Sequence, residues 1–190
     1  MQSYDYAHRA GVDAITWPRF AELAARLAEG LAAARVTMIV GIARAGLFPA
    51  TAVACGLRCE LYPVRVTRRV DDQVVFAEPV WRVDVPAEVA GQVVAVVDEM
   101  ADTGATLRLV AERVRARGAA RVVTAALVAH SWAQPRPDVA ALTTDALVIF
   151  PWDERVYADG AWRPHPEIVA ALRQQEPAAP AEANGSTDKT

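Results

Sequence analysis

The run Val93-Val94-Ala95-Val96-Val97 is apolar at every position and leads straight into Asp98 and Glu99. A strand with one wet face alternates apolar and polar residues. A run without alternation fits a strand covered on both faces, as in a parallel sheet flanked by helices. Residues 92–97 are therefore predicted as a central strand that stops at the acids. Residues 36–40, Val-Thr-Met-Ile-Val, read the same way and are stopped by Gly41. Helices are predicted between such runs. Over 17–34, Phe20, Leu23, Ala24, Leu27 and Leu31 recur at helical spacing, with Thr16 as N-cap and Pro18 in the first turn. Residues 47–55 form a second helix with Pro49 in its first turn and Gly56 as terminator, and 105–117 a third, closed by Gly118. Glu60–Thr67, 121–128 and 145–150 are further strands, and 165–173 a last helix. Strands alternating with helices at these lengths predict an α/β fold, a parallel twisted sheet with helices on both faces.

The 190 residues suit one domain, here 1–174, with 175–190 as a polar tail expected to be disordered. Residues 68–88 are charged and broken by Pro79 and Pro86, so they are predicted as a mobile excursion or ribbon. No internal repeat is visible. A net charge of -3 supplies no basic field, which argues against nucleic acid as a partner. Among 20 Lys and Arg residues the lone lysine is Lys189, so the body of the chain offers none for a Schiff base, a Walker loop or pyridoxal phosphate. Cys55 and Cys59 are too few for a disulfide framework, and His8, His130 and His165 are too scattered for a zinc cluster. The N-terminus lacks a basic-then-apolar leader and no apolar run reaches spanning length, so a cytoplasmic protein with no membrane partner is expected.

Ligands of parallel sheets sit beyond the C-terminal strand ends, which places 41–46 and 98–106 side by side at one rim. The second segment reads Asp98-Glu99-Met100-Ala101-Asp102-Thr103-Gly104-Ala105-Thr106. Unpaired N–H groups at the helix start, with the Thr103 and Thr106 hydroxyls, make a cradle for a phosphate dianion. Two carboxylates just upstream can accept from a sugar diol or hold Mg²⁺ through water. A pocket for both a phosphate and a diol is a ribose-5-phosphate pocket. The plainer alternative is that Asp98 and Glu99 only end a strand.

On these residues the chain resembles the type I phosphoribosyltransferases, whose signature is an apolar strand, two acids, a few residues and Asp/Thr-Thr-Gly-x-Thr. The resemblance spans about residues 4–157. It implies a site for 5-phosphoribosyl-1-pyrophosphate (PRPP) at Asp98, Glu99, Asp102, Thr103, Gly104, Ala105 and Thr106. Gly41-Ile42-Ala43-Arg44-Ala45-Gly46 resembles the family's pyrophosphate loop, which implies contacts from Arg44 and Ala45. Residues 67–81 match in position the flexible hood; Arg68 and Arg69 then either meet pyrophosphate on closure or are solvated. Asp98 and Glu99 would hold Mg²⁺ through water.

Asp145-Ala146-Leu147-Val148-Ile149-Phe150-Pro151-Trp152-Asp153 resembles the base-binding strand of the 6-oxopurine branch, with Leu147, Val148 and Asp153 in its base-contacting positions. Leu147 stands where that branch stacks an aromatic ring on the purine, and His130 where it uses a lysine on the purine oxygen. His130 either donates to a base carbonyl or is a polar residue at a strand end, and Trp152 reads as core or wall. The resemblance implies displacement of pyrophosphate by a ring nitrogen of a purine-like base, as in purine salvage, with Asp102 handling the base proton, and a homodimer. Two other functions remain open: transfer to an unusual non-purine acceptor, and a PRPP or nucleotide sensor without turnover. A dinucleotide-binding dehydrogenase lacks its Gly-x-Gly-x-x-Gly.

Overall fold

The computed structural model describes residues 9–70, 73–77 and 79–175. The predicted tail from residue 176 onward, with Lys189, and residues 1–8, with His8, lie outside them. Along the chain run β1 (Val12–Ala14), α1 (Trp17–Ala33), β2 (Met38–Ile42), α2 (Leu47–Leu57), β3 (Glu60–Thr67), β4 (Arg69–Val70), β5 (Gln73–Val74) and β6 (Val80–Val83). They are followed by β7 (Val93–Ala101), α3 (Ala105–Ala116), β8 (Arg121–Ala129), β9 (Val139–Thr143), β10 (Leu147–Ile149), β11 (Arg155–Ala158), β12 (Ala161–Pro164) and α4 (Pro166–Gln175). The chain divides into two compact units. One spans Thr16–Asp145; the other joins the stretch up to Ile15 to the chain from Ala146 onward.

The first unit holds a six-stranded sheet in the order β6-β3-β2-β7-β8-β9. All its pairs are parallel except β3 with β6, so the expected α/β sheet is present with one antiparallel edge strand. Its central strands are covered on both faces, as their apolar runs require. Met38, Val40, Val94 and Val96 pack in one core with Leu107, Val110 and Val114 of α3. Ile39, Ala95 and Val97 pack in the other with Leu27 and Leu31 of α1 and Val53 of α2. Helix α1 begins where Thr16 Oγ1 accepts from the Arg19 N–H, the expected N-cap.

Several boundaries differ from the sequence reading. Strand β2 runs through Gly41 to Ile42, because β3 supplies ladder partners as far as Val64. Strand β7 does not stop at Val97: β8 pairs with it up to Ala101–Ala129, so both acids lie inside the strand. Helix α2 passes through Gly56 and ends at Arg58, which takes the left-handed conformation (φ 57°) itself. The charged stretch after β3 is partly ordered by pairing, as the β4–β5 hairpin and the edge strand β6. Strand β9 was not anticipated; its five residues carry two alanines and little alternation.

In the second unit β1 pairs with β10 in parallel, so the last predicted strand does not join the large sheet. A hairpin of β11 and β12 and the helix α4 complete the unit. Among the described residues no helix is long and apolar enough to cross a membrane.

Candidate active site at the strand ends

The C-terminal ends of β2 and β7 bring the two predicted loops together. Ala43 to Gly46 form a tight turn into α2, with the Arg44 carbonyl accepting from the Leu47 N–H at 3.1 Å and the Ala45 carbonyl from the Phe48 N–H at 3.0 Å. Arg44 is exposed at the turn. Gly46 lies directly against β7: a Cβ there would come within 2.6 Å of Asp98 Oδ1 and 3.0 Å of Asp98 Cα. Only a residue without a side chain lets this turn close over the acid strand.

The two adjacent acids have different surroundings. Asp98 is 7% exposed, and Glu99 is half-buried. Burial pushes the Asp98 carboxyl well above the usual carboxylate range, and the neighbouring Glu99 charge pushes it the same way. Its Oδ1 accepts from the Glu99 N–H at 3.0 Å. Among the described residues no cluster of three or more His, Cys, Asp or Glu side chains could hold a metal ion.

Beyond β7 the chain turns through Thr103 and Gly104 into α3. Gly104 has φ 80°, and Thr103 Oγ1 accepts from the Ala105 N–H at 3.3 Å. Ala105 and Thr106, which open α3, are both exposed.

The segment after β8 closes against this turn, and the sequence did not signal it. The His130 N–H donates to the Ala101 carbonyl (3.0 Å), the Trp132 indole Nε1–H to Asp102 Oδ1 (3.2 Å), and the Gln134 N–H to the Thr103 carbonyl (2.9 Å). Three consecutive residues of one loop are thus bonded to alternate residues of the other. Ser131 is tied in turn to Asp145, whose Oδ1 accepts from its N–H (2.9 Å) and Oδ2 from its hydroxyl (2.8 Å). Thr124 and Asp138 repeat this lock at the same spacing, where Asp138 Oδ2 accepts from the Thr124 N–H and hydroxyl. Neither lock has a local sequence signal, since the partners are fourteen residues apart.

His130 is 4% exposed and stacks on Trp132, with centroids 4.3 Å apart and planes 20° from parallel. Its Nδ1 lies 2.6 Å from the Thr144 carbonyl oxygen. A carbonyl only accepts, so Nδ1 carries a proton, and Nε2 is left facing Asp102 Oδ1 at 3.8 Å. A neutral ring in this tautomer presents a lone pair at Nε2. Donation from Nε2 to a base carbonyl therefore requires the charged ring, a condition the sequence could not reveal.

The remaining candidates are placed as follows. Arg68 is exposed, and its carbonyl accepts from the Val75 and Phe76 N–H groups, while Arg69 begins β4. In the second unit Leu147 is 7% exposed within β10 and Val148 is half-buried beside it. Phe150 and Trp152 stack 4.9 Å apart, and the Asp153 N–H donates to the Phe150 carbonyl, closing the turn that follows β10.

A family model described as the phosphoribosyl transferase domain matches residues 12–159. The chain is similar to the crystal structure of a purine phosphoribosyltransferase from Pyrococcus horikoshii, at 28% identity and a TM-score of 0.68. That match covers 78% of this chain and 98% of that one. It is similar in fold to a hypothetical protein from Neisseria gonorrhoeae with bound ppGpp, at 22% identity and a TM-score of 0.65, covering 89% of this chain and 98% of that one. The xanthine-guanine-hypoxanthine phosphoribosyltransferase of Helicobacter pylori is also similar in fold, at 16% identity and a TM-score of 0.64, covering 74% and 93%. No curated protein sequence matches the chain.

Proposed function

Because the chain belongs to the phosphoribosyltransferase family, we propose that it transfers the 5-phosphoribosyl group of PRPP to a ring nitrogen of a purine-like base and releases pyrophosphate. The observation that carries this reading is the juxtaposition at the ends of β2 and β7. The acid strand runs into the Thr103–Thr106 cradle, and the Arg44 turn sits against Asp98.

In this reading the first-turn N–H groups of α3 and the Thr103 and Thr106 hydroxyls hold the 5-phosphate. Glu99 and Asp98 accept from the ribose hydroxyls, and Arg44 with the Ala45 backbone binds the pyrophosphate. The transition state places positive charge on the ribose ring and negative charge on the leaving group. Carboxylates below the ring and a guanidinium at the leaving group stabilise both. Asp98 and Glu99 would hold Mg²⁺ through water, since the ion keeps several waters and takes phosphate oxygens as ligands. When bound it would neutralise charge on the departing pyrophosphate. A ribose hydroxyl donating to Asp98, or a hydrated cation beside it, would favour the charged form that burial disfavours.

Asp102 takes the proton that the base nitrogen loses on forming its bond to C1. His130 would stand at the edge of the base. Arg68 and Arg69, on a hood over 67–81, would close on the pyrophosphate and exclude water. We place the enzyme in the cytoplasm as a homodimer; the exposed Phe48, directly after the Arg44 turn and 6.0 Å from the exposed Trp17 ring, supports a second copy covering that corner.

Pyrophosphate release from PRPP with Mg²⁺, screened against guanine, hypoxanthine, xanthine, adenine, orotate and uracil, tests the proposal. Release with a purine supports it. PRPP binding without release from any base would favour the second reading, a non-purine acceptor or a sensor, to which the replacement of lysine by His130 points.

A further inference from the structure

We propose that Trp132 is a positioning residue for Asp102, so that the loop 130–136, as well as the loop bearing the acids, sets the rate of base transfer. The inference rests on the role given to Asp102 above. Trp132 is 42% exposed, which is unusual for a tryptophan whose function is to fill a core. Both of its polar and aromatic features are nevertheless engaged. Its indole N–H holds Asp102 Oδ1 at 3.2 Å, and its ring lies flat on His130.

The loop that carries it is fixed on both sides of the tryptophan. Before it, the His130 N–H donates to the Ala101 carbonyl and the ring Nδ1 to the Thr144 carbonyl. Ser131 is held twice by Asp145, and its carbonyl accepts from Arg136 Nη2 at 3.1 Å. After it, Ala133 is buried and Gln134 bonds to Thr103. The indole is therefore presented from a rigid frame, and its N–H restricts a carboxylate that sits on a turn between β7 and α3. Asp102 is half-buried, and a hydrogen bond at Oδ1 limits rotation of its carboxylate about the terminal bond. A general base must keep one oxygen within hydrogen-bond reach of the proton it accepts, so restricting that rotation acts on turnover. Ground-state binding of PRPP, which draws chiefly on the cradle and the Arg44 turn, changes far less.

The test is a double-mutant cycle on the pyrophosphate-release assay, with each protein's melting temperature recorded. Trp132→Phe keeps a ring on His130 and removes the N–H. A hydrogen bond to a charged group is lost, so kcat should fall about tenfold to a hundredfold, with KM for PRPP unchanged. In an Asp102→Asn background the same change should cost less than about twofold, because the group through which Trp132 acts is already disabled. Trp132→His, a smaller ring with an N–H of its own, should retain more turnover than Trp132→Phe. Multiplicative losses in the double variant, a matching rise in KM for PRPP, or more turnover in Trp132→Phe than in Trp132→His would each overturn the inference while leaving phosphoribosyl transfer intact. A wild-type protein silent with every base overturns the transfer reading and this inference together.

Discussion

Gly104→Ala tests the cradle most sharply, because two separate penalties meet at that residue. Its φ of 80° is a left-handed conformation that costs an L-residue about 1–2 kcal/mol. In addition, a Cβ at Gly104 would come within 2.5 Å of the Pro135 carbonyl oxygen and 3.0 Å of the Gln134 carbonyl carbon. Both are backbone atoms of the loop bonded to Thr103, so no side-chain rotation relieves the clash. Overpacking of this kind costs about 1–3 kcal/mol more.

Gly91 provides the control. It has φ 75° in the same compact unit, but a Cβ there meets nothing within 4 Å, so Gly91→Ala carries the conformational penalty alone. At roughly 2–4 °C per kcal/mol for a domain of this size, Gly104→Ala should melt about 2–12 °C below Gly91→Ala. It should also weaken PRPP in calorimetric titration, because relief of the clash moves the start of α3 away from its phosphate-binding geometry. Equal melting temperatures for the two variants, with equal PRPP affinity, would refute the claim that the 130–136 loop packs on the cradle.

Asp102→Asn should lower turnover far more than PRPP affinity; equal losses in the two would show that the residue only holds the turn. Arg44→Ala should weaken PRPP and pyrophosphate by about tenfold or more, as expected for a charge-assisted contact, and unchanged calorimetric affinity would remove Arg44 from the site. Asp84 accepts from Arg113 Nε (2.9 Å) and Nη2 (2.6 Å), from Arg117 Nη2 (2.6 Å) and from the Val85 N–H (2.8 Å), so these partners, Arg113 foremost, hold its carboxyl well below the usual range. A depressed carboxyl contributes stability above its ordinary pKa near 4, and that contribution is lost as pH falls towards the folded value. With the side chains 35–45% exposed, solvent screening limits the contribution to about 1 kcal/mol. Asp84→Asn should therefore melt lower at pH 7 and lose less stability than wild type between about pH 4 and pH 2; parallel melting curves across that range would contradict the assignment.

What the sequence discloses about this fold is what local periodicity and punctuation record. Fully apolar runs mark β2 and β7 because both faces of each strand are covered. The 3.6-residue spacing of Leu23, Leu27 and Leu31 marks α1. Boundaries fail where a neighbour overrides local chemistry. The acids of β7 stay in the strand because β8 offers partners as far as Ala129, and Arg58 ends α2 although Gly56 was available. The short strands β1, β6 and β9 exist through pairing, and three to five residues carry too little pattern to announce that. The site follows the same division. The acids, the Thr-Gly turn and the Arg44 loop are contiguous motifs and are legible. The Trp132–Asp102 bond and the Ser131–Asp145 lock join residues thirty and fourteen positions apart, and only the folded chain brings them together. The tautomer of His130 depends on the Thr144 carbonyl, which no motif encodes.

The measurement that bears most directly on phosphoribosyl transfer is mass-spectrometric detection of product after PRPP, Mg²⁺ and the purine panel are incubated with the protein. A nucleoside 5′-monophosphate formed in step with pyrophosphate is the predicted result, since it requires a new bond between C1 of the ribose and a base nitrogen. Pyrophosphate accompanied only by ribose 5-phosphate, or unchanged PRPP with every purine, would contradict it.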